Sequence, residues 1–314
     1  MSDLSTRISN LSPEKRKLLD LLARKEDMQI PDQQDSKPPT GLKQESLLFP
    51  PDKEGLPEKD EVRNFYNSVS NQLNDSPFGE HSIFLNYGYV PNNNPQYSQV
   101  RLPDICMNKN PTSLVLEVIG DCVLHPEHEV LDIGCGRGGT VSVFRRFFNV
   151  RKVTGVDLSP NAILFCRKVH TYPETYFMEG DAENLPFEDQ SFDIVTNIES
   201  SHTYGDITAF YNEVYRVLKL GGYFLYTDLI SCEDIEKYQN ILQGLGFAIE
   251  RKQNITSNVL MSCDDIADTH SGAYSGKNDP GFLENFLAMP DSPVYNKMRN
   301  GKSEYLLYKF HKKA

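Results

Sequence analysis

The sequence predicts a doubly wound α/β fold on a mostly parallel sheet. Three observations predict it. From Glu129 onward, strand-length apolar runs alternate with helix-length segments, an order that requires a parallel sheet covered on both faces. The first of these strands runs straight into a glycine-rich turn, "VLDIGCGRGGT". The 314 residues, 39% hydrophobic and 24% charged, have the balance of a globular protein with a sizeable core.

The elements follow in order. "LSPEKRKLLDLLARK" (11–25) predicts a short helix, with Ser12 as its cap, Pro13 at its first position and Leu18, Leu19 and Leu22 as an apolar stripe. A segment rich in proline and polar residues follows and reads as a linker. Residues 1–58 are therefore expected to form a helix and flexible linker apart from a main domain at 59–314. "DEVRNFYNSVSNQL" and "TSLVLEVIGDCVL" are helix candidates flanking the aromatic stretch "SIFLNYGYV". The strands are "EVLDIGC", "KVTGVDL", "TYFMEGD", "FDIVTNIE" and "GYFLYTDLI", and "FAIERKQNI" and "SEYLLYKFHK" close the series. "RVLKLGGYFLYTD" is expected to end a helix at the glycine pair before strand five. Residues 262–300 interrupt the last two strands and are long enough to cover a site. Lid elements are thus expected at about 60–120 and 262–300.

The net charge of −12 argues against nonspecific nucleic-acid binding, which needs cationic surface. The six cysteines show no paired spacing and imply reduced thiols. The opening "MSDLSTRISN" has no apolar signal core and no run is long enough to span a bilayer, so a cytoplasmic location is expected. The only clear basic cluster, Arg145, Arg146, Arg151 and Lys152, falls at the sheet end opposite the expected site.

Gly134, Gly136 and Gly139 fit G-x-G-x-x-G, where glycine permits a tight turn and close approach of a ligand to the backbone. Nicotinamide enzymes share this pattern, and Asp157, spaced to grip ribose hydroxyls, suits either cofactor. Asp132 inside the first strand favours a cationic ligand over a pyrophosphate. Asp181 follows the third strand, placed to accept from an adenine amino group.

Together these residues resemble the motifs of class I S-adenosylmethionine-dependent methyltransferases over roughly residues 60–314. The resemblance implies a Rossmann-like, seven-stranded sheet with its last strand antiparallel. It implies that Asp132, Gly134, Cys135, Gly136 and Gly139 hold the cofactor's methionine half. Asp157 would hold the ribose, Leu158 would pack on the adenine, and Asp181 and Ala182 would contact its edge. S-adenosylhomocysteine would be the product.

"FLNYGYV" and "ESSHTYGDITAFYNEVYRVLKLGGYFLYTDL" look like the small-molecule O-methyltransferases of polyketide and nonribosomal peptide pathways. In such enzymes a tyrosine of the first stretch, here Tyr87 or Tyr89, helps close over the methionine end. The N-terminal helix resembles segments at the ends of synthase modules. This implies a possible megasynthase partner and a substrate that is free or carrier-tethered.

His202 follows strand four and Asp228 is expected to end strand five, so the two are expected to meet at the substrate. A histidine near neutral pKa suits removal of a hydroxyl proton, and a carboxylate can orient its ring. Glu199 is the rival carboxylate. It could instead face the cofactor's amino group, with Asn197 and Ile198 giving backbone contacts. Asp264 and Asp265 are the competing expectation of a magnesium site. Nothing in their spacing fixes a geometry, and no metal is assigned.

Overall fold

The computed structural model describes residues 58–75, 79–91, 100–103, 106–270 and 286–313. The helix expected at 11–25 lies outside them, as does most of the expected linker. The described elements run α1 (Lys59–Asn74), α2 (Lys109–Ile119), β1 (Glu129–Ile133), α3 (Gly139–Phe147), β2 (Lys152–Asp157), α4 (Pro160–Val169), β3 (Thr175–Glu179), β4 (Phe192–Ile198), α5 (Ile207–Val217), β5 (Leu218–Ser231), α6 (Ile235–Gly244), β6 (Phe247–Asn254), α7 (Thr256–His270), α8 (Pro293–Arg299) and β7 (Ser303–Lys312).

The strands form one seven-stranded sheet in the order β3-β2-β1-β4-β5-β7-β6. The first five pair in parallel, and β7 inserts antiparallel between β5 and β6. The chain thus winds outward from β1 in one direction and from β4 in the other. Their junction is the crevice where ligands bind in such sheets. β1 and β4 are buried almost throughout, as central parallel strands must be. On one face, α1, α2, α3, α4 and α7 contribute Phe65, Leu114, Phe144, Ile163 and Val259 to the core. On the other, α5 and α6 contribute Phe210, Tyr211 and Leu242.

Helix starts near the crevice are fixed by their caps. Ser159 Oγ accepts the Ala162 N–H at 3.1 Å, with Pro160 in the first turn of α4. Asp206 Oδ1 accepts the N–H groups of Thr208 and Ala209, both at 2.9 Å, to open α5. The glycine pair before strand five behaves differently from the expectation. α5 ends at Val217 and β5 begins at once, with Gly221 and Gly222 inside it. The pairing with β4 jumps from Phe192–Leu218 to Ile194–Tyr223. Extra residues on β5 must loop out there, and Gly221 takes φ +79° to allow it.

Three of the four residues of the basic cluster are engaged locally. Arg145 donates to Thr175 Oγ1 and to the carbonyls of Val150 and Glu174. Arg151 and Lys152 both pair with Glu129, at 3.3 and 2.5 Å. No helix among the described residues is long and apolar enough to cross a membrane.

Candidate active site

A cleft opens at the carboxyl ends of β1, β2 and β4. Its floor is the turn after β1. Gly134 takes φ +68°, and a Cβ there would stand 2.2 Å from Ser200 Oγ, so only glycine fits. Gly136, at φ +50°, donates its N–H to Asp157 Oδ2 at 2.7 Å, and the other carboxyl oxygen accepts the Ser159 N–H at 2.8 Å. Asp157 therefore ties the loop after β1 to the end of β2. Burial raises its pKa, opposed by the two N–H groups.

The cavity wall continues through Leu158, Asp181 and Ala182. Asp181 Oδ2 pairs with Lys59 Nζ at 2.7 Å, and Lys59 also reaches Glu183 Oε2 at 2.6 Å. Lys59 is the first residue of α1. Two ion pairs thus pin the start of α1 to the loop after β3.

β4 ends at Ile198, and the chain then changes hand. Glu199 takes φ +55°, and Ser201–Thr203 form one turn of 3-10 helix. This short turn places His202 against β5. His202 Nδ1 lies 2.7 Å from Asp228 Oδ1. Asp228 Oδ2 accepts the Ser201 hydroxyl at 2.6 Å and the His202 N–H at 3.0 Å. Asp228 Oδ1 also accepts the Leu229 N–H at 2.8 Å. With four contacts the carboxylate is saturated although almost fully buried. Asp228 lies three residues inside the end of β5 rather than at it. Burial pulls the His202 pKa down, but the charge and hydrogen bond of Asp228, aided by Glu199, raise it above the ordinary value. A carboxylate on Nδ1 holds the ring and leaves Nε2 to exchange a proton.

Glu199 lines the same cavity. Its Oε2 accepts the Tyr87 N–H at 2.9 Å and the Tyr305 hydroxyl. Burial pushes its carboxyl up to about 8, against the opposing pull of Tyr305, Tyr87 and His202.

Of the residues expected in the site, Tyr87, Gly134, Cys135, Gly136, Gly139, Asp157, Leu158, Asp181, Ala182, Glu199 and His202 line the cavity. Asp228 stands behind His202. Three others stand off it. Tyr89 is buried elsewhere, its N–H on Asn110 O at 3.0 Å. Between the two tyrosines of "NYGY", Tyr87 is the one at the cavity. Asp132 lies beneath the loop and accepts the Thr196 hydroxyl at 2.7 Å, with burial pushing its carboxyl up to about 7. Successive side chains of a strand point to opposite faces, and Ile133, not Asp132, is the β1 residue in the wall. Asn197 acts from below as well. Its amide donates to Ile133 O, Ser200 Oγ and Tyr204 OH at 2.7–3.0 Å, bracing the turns after β1 and β4.

Sequence reasoning missed Lys59, Tyr66, Arg137 and Tyr305. Arg137 carried a signal, since an arginine between loop glycines needs partners. It is fully buried and donates to Ser70 O and Oγ, Asn74 Oδ1, Gly79 O and Ser82 O. Its guanidinium lies 3.4 Å above the Phe165 ring. Arg137 thereby clamps α1 to the glycine loop. Tyr66 and Tyr305 read as ordinary core aromatics.

The donor set fits a nucleoside with a cationic tail. Asp181 can receive an exocyclic amine, Asp157 a pair of ribose hydroxyls, and Glu199 a positive charge. Asp264 and Asp265 do not converge on the cavity as a metal pair. Asp264 accepts the Tyr295 hydroxyl at 2.8 Å and Asp265 the Asn110 amide at 3.2 Å. Among the described residues no three His, Cys, Asp or Glu side chains gather as a metal site.

Residues 131–226 match the family described as a methyltransferase domain. The chain is 32% identical over 234 residues to a fatty-acid O-methyltransferase of Mycolicibacterium smegmatis, covering 74% of this chain and 84% of that one. It is 36% identical over 183 residues to a phthiotriol/phenolphthiotriol dimycocerosates methyltransferase of Mycobacterium ulcerans, covering 58% and 67%. Among solved structures it resembles the cyclase SpnF, with a TM-score of 0.66 at 19% identity over 83% of this chain and 98% of that one. The last likeness concerns the fold alone.

Proposed function

The chain belongs to the class I S-adenosylmethionine-dependent methyltransferases, and on that premise we propose that it methylates a hydroxyl of a polyketide or peptide-polyketide metabolite, with His202 as general base. The observation that carries this reading is the 2.7 Å contact between His202 Nδ1 and Asp228 Oδ1, at the wall of the cavity that Asp157 also lines. S-adenosylmethionine supplies an activated sulfonium methyl when bound. Asp157 would hold its ribose hydroxyls, Asp181 and Ala182 its adenine edge, and the Gly134–Gly136 turn its amino-acid end. Positioning then supplies much of the rate.

An aliphatic hydroxyl must still lose a proton during attack. Nε2 of His202 takes it, and Asp228 stabilises the imidazolium through Nδ1. Asp228 is itself held by Ser201 and by the Leu229 N–H, so the ring cannot turn away as charge develops. Val62, Tyr66, Ile83, Phe84 and Phe286 line the cavity and suit an apolar acceptor.

A second reading takes the acceptor to be a fatty-acid carboxylate, as the name of one relative suggests. Charge favours the hydroxyl. Asp157, Asp181, Glu183 and Glu199 line the cavity. Of its two permanent cations, Lys59 is spent on Asp181 and Glu183, and Arg137 on the lid helix and the segment after it. Among the described cavity residues no lysine or arginine is left to receive a carboxylate. Methyl transfer to carbon or nitrogen would not need the His202–Asp228 pair in the same way. A silent cofactor-binding partner would need no base at all. The test is mass spectrometry of hydroxylated polyketides, free and carrier-bound, and of fatty acids, each incubated with enzyme and S-adenosylmethionine. An alkali-stable gain of one methyl on a hydroxyl supports the reading. Methylation of fatty acids alone, as alkali-labile esters, refutes it.

A further inference from the structure

Glu199 differs from the other cavity carboxyls in how it is held. It is the first residue past β4, in left-handed backbone that is unfavourable for a side chain and persists only where the surroundings enforce it. Its N–H donates to Thr227 O at 2.8 Å. Both of its side-chain donors, the Tyr87 N–H and the Tyr305 hydroxyl, meet the same oxygen, Oε2. No described residue donates to Oε1. The carboxyl is therefore gripped by one edge in the wall of the cavity, and its other edge is left for a ligand.

The Tyr305 phenol comes from a rigid place. It sits in β7 opposite Leu229 and is fully buried. Its carbonyl accepts the Ile255 N–H and its N–H donates to Thr256 Oγ1, both at 2.9 Å. Such a phenol fixes where the carboxyl stands.

We infer that Tyr305 positions Glu199 as the anchor for the cationic methionine end of the cofactor, and that binding there expels a proton from the Glu199 carboxyl to solvent. This rests on the reading of the cavity as the S-adenosylmethionine site. The groups around Glu199 carry the charge argument. His202, beyond β4, favours its ionised form and Asp228, on β5, opposes it. Tyr66 on α1, Tyr87 beside the lid, Cys263 on α7 and Tyr305 on β7 all have their own ionisation opposed by its charge. Among the described residues no lysine or arginine pairs with it. Burial pushes its carboxyl up to about 8, so it holds its proton in the empty cavity at pH 7. A ligand cation favours the carboxylate. One proton then leaves as one positive charge arrives.

The experiment is calorimetry of S-adenosylmethionine binding, without acceptor, in buffers of different ionisation enthalpy across pH 6–9. The expected result is release of close to one proton at pH 7, fading above pH 8. Glu199→Gln should abolish the release. Tyr305→Phe removes a hydrogen bond that favours the carboxylate. It should carry the release, and the pH dependence of Kd, to higher pH. Buffer-independent heats at pH 7 would overturn the inference, as would release that survives in Glu199→Gln or a Tyr305→Phe profile that superimposes on the parent's. If no S-adenosylmethionine binds, the cofactor site itself is wrong and the inference falls with it.

Discussion

Asp228→Asn probes the proposed base without removing it. In the parent, both oxygens of Asp228 are fully engaged: Oδ1 accepts His202 Nδ1 and the Leu229 N–H, and Oδ2 accepts the Ser201 hydroxyl and the His202 N–H. An amide offers one acceptor atom where there were two. Whichever way it turns, its NH2 meets a main-chain N–H that it cannot bond. If its oxygen stays on Nδ1, the imidazole keeps its tautomer but loses the carboxylate charge. One charge-assisted hydrogen bond is worth about 1.5–3 kcal/mol, and each ~1.4 kcal/mol is a factor of ten in rate. Turnover should therefore fall about 10- to 100-fold. His202→Ala removes the base and should cost about 10²–10⁴-fold. The pH profile supplies the sign. A base must be neutral to act, so turnover rises with pH through the His202 pKa, which lies above the ordinary 6.5. Removing the Asp228 charge should move that limb to lower pH. Initial rates by liquid chromatography–mass spectrometry at saturating cofactor, from pH 5.5 to 9, measure both effects. A folded Asp228→Asn enzyme with parental turnover and an unmoved limb would refute the reasoning.

Further outcomes follow from the same geometry. Asp157→Ala loses the proposed ribose contact and the brace on the Gly136 N–H; calorimetry should show S-adenosylhomocysteine affinity weakened by about 1.5–3 kcal/mol. Gly134→Ala should abolish cofactor binding, because its Cβ would meet Ser200 Oγ at 2.2 Å. Gly221→Ala is the contrast: no atom lies within 4 Å of its Cβ, so thermal denaturation should show a strain cost of about 1–2 kcal/mol with cofactor affinity intact. Lys59→Ala unties α1 from Asp181 and Glu183; stopped-flow measurements should show faster cofactor release, with the difference from the parent shrinking in high salt.

The sheet was legible in the sequence because its signals are local. Every strand expected from Glu129 onward is present, and the central parallel strands β1 and β4, buried on both faces, read as apolar runs. The glycine loop and Asp157 were legible for the same reason, as a turn can be recognised from a dozen residues. What escaped depends on the other side of a contact. Nothing near Tyr305 in the chain announces that β7 inserts beside β5 and brings its phenol to Glu199, 106 residues away. Lys59 looked like one more charge at a helix start, and its partners lie beyond β3. The choice between Tyr87 and Tyr89 was likewise undecidable locally. Both are aromatic and both are buried; the turn around Gly88, at φ +77°, separates their directions.

The turn after β4 explains how one short stretch carries both the proposed cofactor anchor and the proposed base. A strand that continued straight past Ile198 would carry its next side chains alternately to either face. The left-handed step at Glu199 breaks that alternation. It leaves Glu199 beside Tyr87 and lets Ser200–Thr203 coil beneath the glycine loop. Ser200 then lies so close to Gly134 that no side chain is tolerated there, and Asn197 ties the two turns together. His202, three residues past the step, lands on Asp228. The distance from the glycine loop to the proposed base is therefore set by main-chain geometry and one buried amide, not by any flexible side chain. Asn197→Ala should loosen both turns at once, raising the Kd for S-adenosylhomocysteine and lowering turnover together. A variant that lost only one of the two would show that the turns are positioned independently.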